Sequence, residues 1–179
     1  MAHKTYKGKF TSFKNPQKYT GDIKNVTYRS MWERNVMTWL DENPSVIEWG
    51  SEEIYFPYEH PITGKRSKYY PDFYAKMKDG IKRIIEVKPL KEINRPPEPK
   101  RKTKGYANAV ALWVVNQEKW KSAQYYCEKN NIKFEVWSEK TLTEMGIMKT
   151  FQGEKRKLLS EKKKTVPKRK PTTRPKRKS

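Results

Sequence analysis

An apolar run that carries a single carboxylate constrains this chain more than any other feature. Ile84-Ile85-Glu86-Val87-Lys88 has the β-branched character of a strand, in which residues two apart face the same way. Glu86 and Lys88 therefore point together, while Ile85 and Val87 point to the opposite face. A glutamate in that setting is costly unless its charge is met, and Lys88 meets part of it. Fourteen residues upstream of Glu86 stands a second carboxylate, Asp72, within Tyr69-Tyr70-Pro71-Asp72-Phe73. Alone, a Pro-Asp pair reads as a turn whose carboxylate accepts local backbone N–H groups. Together with Glu86 and Lys88 it suggests two hard oxygen ligands beside an ammonium. Such a set suits a divalent ion and a water held against a phosphodiester.

The bulk charge points to the same class of partner. The 179-residue chain carries a formal net charge of +21, and a field of that sign draws polyanions, nucleic acids foremost. An anionic membrane surface or an acidic protein is the competing reading. No run of about eighteen apolar residues occurs, so a spanning segment is not expected. No apolar signal region follows Met1-Ala2-His3-Lys4-Thr5, so secretion is not expected either. Cys127 is the sole cysteine, which excludes an internal disulfide and a cysteine-built zinc site. Residues 154–179 hold thirteen Lys or Arg against two Glu, a net of +11, with prolines spread among them. Such a segment cannot build a core and is expected to be disordered. The expected organisation is one folded domain over 1–153 and a basic tail over 154–179.

Within the domain, residues 1–27 read as an irregular arm. Trp32, Val36, Trp39 and Leu40 recur at helical spacing and predict a helix over about 30–42. Ser30 is its expected N-cap, with Glu33 completing a capping box, and Asn43-Pro44 stops it. Strands are expected over 46–49, 54–57, 68–77 and 81–87, the last ones joined as an antiparallel meander and closed by Pro89. Residues 89–104 read as a long loop. The near-continuous apolar run 110–115 predicts a strand buried on both faces, and a helix capped by Asn116 follows over 117–129. Residues 132–137 alternate as a strand, and Thr141 opens a short last helix. The fold class is α/β, a mixed central sheet flanked by helices.

Further residues surround the central pair. The Val87 carbonyl can add a ligand to Asp72 and Glu86, and the ion expected there is Mg²⁺, with Mn²⁺ as the alternative. Lys88 would orient the attacking water or steady charge at phosphorus; as sole general base it would need a strongly lowered pKa. Glu33 is a third carboxylate that can lean toward the sheet, or serve only its capping box. Arg29 and the helix N-terminus can meet phosphate. Lys100, Arg101, Lys102 and Lys104 look like a clamp on the DNA backbone, because a basic run at a helix start is otherwise disfavoured by the macrodipole. Gln117 can orient water or substrate, or be an ordinary first-turn residue. Tyr69, Tyr70 and Tyr74 can stack on bases or belong to the core. His3 and His60 are isolated, and no phosphate-cradling glycine loop appears.

Pro71-Asp72 followed by Glu86-Val87-Lys88 resembles the PD-(D/E)XK signature of the restriction-endonuclease-like superfamily, with Glu33 matching the helical acidic residue of many members. A longer pattern is similar to the head completion nucleases of large tailed phages, which are related to a transposon-end endonuclease. It comprises Tyr28-Arg29-Ser30-Met31-Trp32-Glu33, Trp39-Leu40-Asp41-Glu42-Asn43-Pro44-Ser45-Val46, Trp49-Gly50-Ser51-Glu52-Glu53 and Tyr70-Pro71-Asp72-Phe73. That resemblance covers roughly residues 8–150 and implies a restriction-endonuclease-like core. It implies a metal-dependent DNA endonuclease that completes heads after packaging so that tails can join, with head or portal-vertex proteins as partners. The host cytoplasm during assembly, or the virion head, is the implied place. Many enzymes with this core dimerise to cut both strands, so a homodimer is a further expectation. A DNA-binding structural head protein that keeps the fold without turnover is the alternative. A third reading keeps cleavage but takes a junction or flap as substrate.

Overall fold

The computed structural model describes residues 6–101 and 103–149. Two short strands, β1 (Gly8–Lys9) and β2 (Thr27–Tyr28), pair antiparallel and flank a 3-10 turn at Pro16–Lys18. Helix α1 (Met31–Glu42) follows, then β3 (Val46–Ser51), β4 (Phe56–Glu59), β5 (Arg66–Tyr69), β6 (Phe73–Met77) and β7 (Lys82–Val87). After a four-residue helix, α2 (Leu90–Ile93), come the long α3 (Lys104–Lys129), strand β8 (Ile132–Trp137) and α4 (Glu139–Glu144). The central sheet has the order β3-β6-β7-β8. Its first two pairings are antiparallel and the β7–β8 pairing is parallel, so this is the mixed sheet flanked by helices that the sequence predicts. The parallel pair needs a crossover, and α3 provides it.

Alternation along β7 decides which helix each of its side chains meets. Ile85 and Val87 lie in a core with Val36, Met37 and Leu40 of α1 and with Trp49, Phe73 and Trp137. Ile84, on the other face, packs with Trp120, Ala123 and Cys127 of α3 and with Phe56 and Tyr69 of the β4–β5 hairpin. By the same alternation Glu86 faces the α3 side. Each fully buried aliphatic side chain here adds about 1.5–3 kcal/mol.

The amino-terminal arm is irregular, as expected, but firmly tied down. The fully buried carboxylate of Asp41 accepts the backbone N–H of Lys14 at 2.7 Å and that of Asn15 at 3.1 Å. Lys18 Nζ reaches the carbonyls of Asp41 and Asn43, both at 2.9 Å. Phe10, Phe13 and Tyr19 then pack their rings around Trp49, with Tyr19 nearest at 4.7 Å between centroids.

Six expectations are corrected. Residues 110–115 are not a strand but the middle of α3, and Asn116 is not a cap but a buried residue of that helix. No Gly or Pro interrupts residues 106–129, so helix propagates through the β-branched run at a few tenths of a kcal/mol per residue. Its start is fixed by Thr103, whose hydroxyl accepts the Tyr106 N–H at 3.2 Å. The segment 68–77 is two strands, because the chain leaves the β4–β5 hairpin at Tyr69 and joins the central sheet at Phe73. The simple meander is therefore only the β6–β7 hairpin, and β4 and β5 form their own small sheet. Finally, α4 begins at Glu139 with Ser138 as its cap, and α2 interrupts the expected 89–104 loop. The domain boundary at 153 and the basic tail fall outside the described residues.

Candidate active site

The crossing from hairpin to sheet builds the site. Pro71 donates no hydrogen bond, so neither ladder continues through it. Phe73 pairs with Ile85, and one step further along that register sets Asp72 across from Glu86. The Asp72 side chain takes the place of a ladder partner, with Oδ2 accepting the Val87 N–H at 2.7 Å. Glu86, 4% exposed, accepts the Tyr69 hydroxyl at 2.8 Å on Oε2 and lies 3.1 Å from Lys88 Nζ through Oε1. Asp72, Glu86 and Lys88 thus line one open cleft of about 490 Å³, together with Arg29, Glu52, Lys68, Tyr69, Tyr70, Asn116 and Lys119.

The four cations that line this cleft do not offset the burial of Asp72. Burial pushes the Asp72 carboxyl well above its usual range, and the facing charge of Glu86 pushes it further, against the pull of Lys88. Burial also raises the Tyr69 phenol, with Glu86 adding to it, so Tyr69 stays a proton donor to that carboxylate. Burial works to lower Lys88, but attraction to Glu86 and then Asp72 outweighs it, and the ammonium is held above its ordinary value. Lys119 moves the other way. Its burial and the like charge of Lys88 lower it more than Glu86 restores.

A divalent cation fits this donor set. Two facing carboxylates in a partly dry cleft raise each other's cost, and a hard cation between them relieves it. Among the described residues no group of three or more His, Cys, Asp or Glu side chains is arranged to hold a metal. Of the three carboxylates that line the cleft, Glu52 is paired with Arg29, which leaves Asp72 and Glu86 as donors. Mg²⁺ characteristically keeps several waters beside one or two such ligands. Glu33 stays outside this set. Its Oε2 accepts the Arg29 N–H at 2.6 Å and its Oε1 accepts the Ser30 hydroxyl at 2.8 Å, while Ser30 Oγ accepts the Glu33 N–H. The capping function expected for Glu33 is therefore present, and its charge still adds to the upward push on Asp72.

The other expected residues divide. Arg29 lies at the cleft, but its guanidinium is held in a two-pronged pair by Glu52, a residue with left-handed backbone (φ 56°). Lys100, Arg101 and Lys104 are exposed at the start of α3 and do not line the cleft, and Lys102 lies outside the described residues. Gln117 does not line it either. Among the tyrosines, Tyr69 is buried against Glu86 and Tyr74 donates to Glu48 at 2.9 Å, which leaves Tyr70 exposed.

Sequence reasoning missed Lys68, Asn116 and Lys119. Asn116 and Lys119 are three apart on one face of α3, a signal legible only once 110–115 is read as helix. Asn116 is 3% exposed and its Nδ2 has no hydrogen-bond partner, which makes it a ready donor to an oxygen brought into the cleft.

Two comparisons with known proteins bear on this geometry. Residues 43–139 match the family described as TnsA-like endonuclease N terminal. Over 146 residues the chain is 42% identical to the head completion nuclease of Enterobacteria phage T4, an alignment spanning 79% of this chain and 97% of that protein.

Proposed function

This chain belongs to the TnsA-like endonuclease family, and from that premise we propose that it is a metal-dependent DNA endonuclease acting in phage head completion. The observation that carries the reading is the meeting of Asp72, Glu86 and Lys88 in one cleft of a strongly basic protein. The likeness to the phage nuclease supports head completion as the setting; DNA and head or portal-vertex proteins are the proposed partners, and the host cytoplasm or the virion head the proposed place of action. Among the described residues no helix is long and apolar enough to cross a membrane.

Asp72 and Glu86, with the Val87 carbonyl, would hold Mg²⁺ or Mn²⁺. When bound, the ion supplies a water of lowered pKa and withdraws charge from the scissile phosphate. Before a metal binds, Glu86 and Asp72 favour the ammonium form of Lys88. Its task is to steady the negative charge that develops on the phosphoryl oxygens. Tyr69 fixes the orientation of Glu86 by donating to Oε2, as groups behind metal ligands commonly do. Arg29 serves phosphate by exchanging Glu52 for it, and Lys100, Arg101, Lys102 and Lys104 add backbone attraction beyond the cleft. Glu33 acts by its negative potential and by seating the α1 terminus. Cutting both strands in one encounter would ask for two such sites, which a homodimer supplies.

The test is cleavage of covalently closed and linear duplex DNA in Mg²⁺, in Mn²⁺ and in EDTA. Nicking or linearisation of the closed circle with metal, and none in EDTA, is the expected result. Tight DNA binding with no cleavage in either metal would replace this reading with a structural, non-catalytic one. The role given to Lys88 has its own expected outcome. Lys88→Met lowers the single-turnover cleavage rate by roughly 10²–10³-fold, and Lys88→Arg recovers part of it because the charge is kept. A Lys88→Met enzyme cutting at the parental rate would remove that residue from the mechanism.

A further inference from the structure

Beside the cleft stands an aromatic ledge that the cleavage chemistry leaves unused. Tyr55 and Tyr70 are 48% and 47% exposed, although the protein has buried cores on both faces of its sheet that take such rings. Their centroids are 5.7 Å apart and their planes tilted by 45°, so neither ring covers the face of the other. Lys68 holds its ammonium 4.3 Å from the centre of the Tyr55 ring. Both Lys68 and Tyr70 also line the cleft that contains Asp72 and Glu86. The ledge and the site are joined by the shortest of links, since only Pro71 separates Tyr70 from Asp72.

We propose that Tyr55 and Tyr70 stack an unpaired nucleobase next to the scissile phosphate, so that the preferred substrate is DNA carrying a single-stranded or flipped-out nucleotide at the cut. This deepens the nuclease reading above and rests on it. Bases within an intact duplex have both faces covered by their neighbours, and ring stacking is open only to one that has left the helix. Exposed tyrosines beside a lysine are the chemistry that single-stranded nucleic acid uses, with π-faces for bases and an ammonium for the adjoining phosphate. The proline that breaks the ladder at Pro71 also fixes the spacing. Tyr70 and Asp72 are two residues apart, so their Cα atoms lie within about 7 Å of each other. Lys68, on the strand that ends beside Tyr70, supplies the positive charge between them.

The experiment compares substrates of one sequence that differ only in pairing: an intact duplex, 5′ and 3′ overhangs, and a flap. Cleavage in Mg²⁺ is measured for the full chain, for Tyr55→Ala/Tyr70→Ala and for Tyr55→Phe/Tyr70→Phe, with thermal melting as the check on folding. The parental protein is expected to favour overhang or flap over duplex by about tenfold or more in kcat/KM. The alanine pair should bring that ratio near one, and the phenylalanine pair should keep it. Equal cleavage of paired and unpaired substrates by the parental protein overturns the proposal, as does an alanine pair that keeps the ratio. Binding of the same DNAs in EDTA separates this from the nuclease reading. If no DNA is cut at all, nuclease activity fails, while an overhang preference in binding that the alanine pair loses by about tenfold still supports the ledge. Binding that ignores both overhang and tyrosines sinks it.

Discussion

Asp72→Ala or Glu86→Ala is expected to lower metal-dependent DNA cleavage by roughly 10³-fold or more, with DNA binding in EDTA unchanged or slightly tighter. Each carboxylate removed takes away half of the carboxylate donor set, and groups that act as one unit lose nearly everything when the first is lost. The double variant should therefore be little worse than either single one. Tighter binding without metal follows from deleting a negative charge that faces phosphate. Asp72→Asn carries the control for folding. Burial and Glu86 raise the Asp72 pKa, so the native state holds its proton to higher pH than the unfolded chain does. The stability associated with that proton is present at low pH and declines as pH rises through the folded value. At neutral pH without metal, a carboxyl whose folded pKa is raised costs stability relative to the ionised unfolded chain, and Asp72→Asn should raise Tm in EDTA by roughly 2–4 °C for each kcal/mol relieved. It should also abolish the rise in Tm that Mg²⁺ or Mn²⁺ gives the parental protein. A variant that loses Tm in EDTA, or that still cuts at a tenth of the parental rate, would deny Asp72 its place.

Asp41→Ala is expected to be the most damaging change away from the cleft. That carboxylate is fully buried and takes the N–H groups of Lys14 and Asn15. Truncation leaves both donors, which are partly buried, without their acceptor. Hydrogen bonds to a charged group are worth about 1.5–3 kcal/mol each, so a loss of roughly 3–5 kcal/mol is expected, with Tm falling by roughly 10 °C. The arm that carries Phe10, Phe13 and Tyr19 onto Trp49 would loosen with it. Urea denaturation followed by tryptophan fluorescence measures this, and a midpoint unchanged within error would refute the role of Asp41.

Local signals were legible where one element decides its own fate. Helix α1 announces itself by spacing, cap and stop, and the observed Ser30–Glu33 bonds follow the cap signature. The shared side of Glu86 and Lys88 follows from the two-residue period of a strand alone. What stayed hidden depends on neighbours. An apolar run such as 110–115 has no period of its own, so its helical state is set by the helix formers on either side. That misreading concealed Asn116 and Lys119. The split of 68–77 is likewise a matter of partners, because one half pairs with β4 and the other with β3 and β7. Arg29 was legible as a cation near phosphate, but its hold on Glu52 joins residues 23 apart and no local pattern records it.

One strand, β7, gives Ile85 and Val87 to one core and Glu86 to the opposite side. Chemistry and folding therefore share a single thread, and a change in its length alters both. A lone inserted or deleted residue within 82–85 would swap the faces, sending the carboxylate among the α1 side chains and an isoleucine toward the solvent-filled hollow. Genetic variation in this segment should consequently be all or nothing: substitutions that keep the alternation survive, and length changes inactivate the protein outright, with no surviving intermediate that merely cuts slowly.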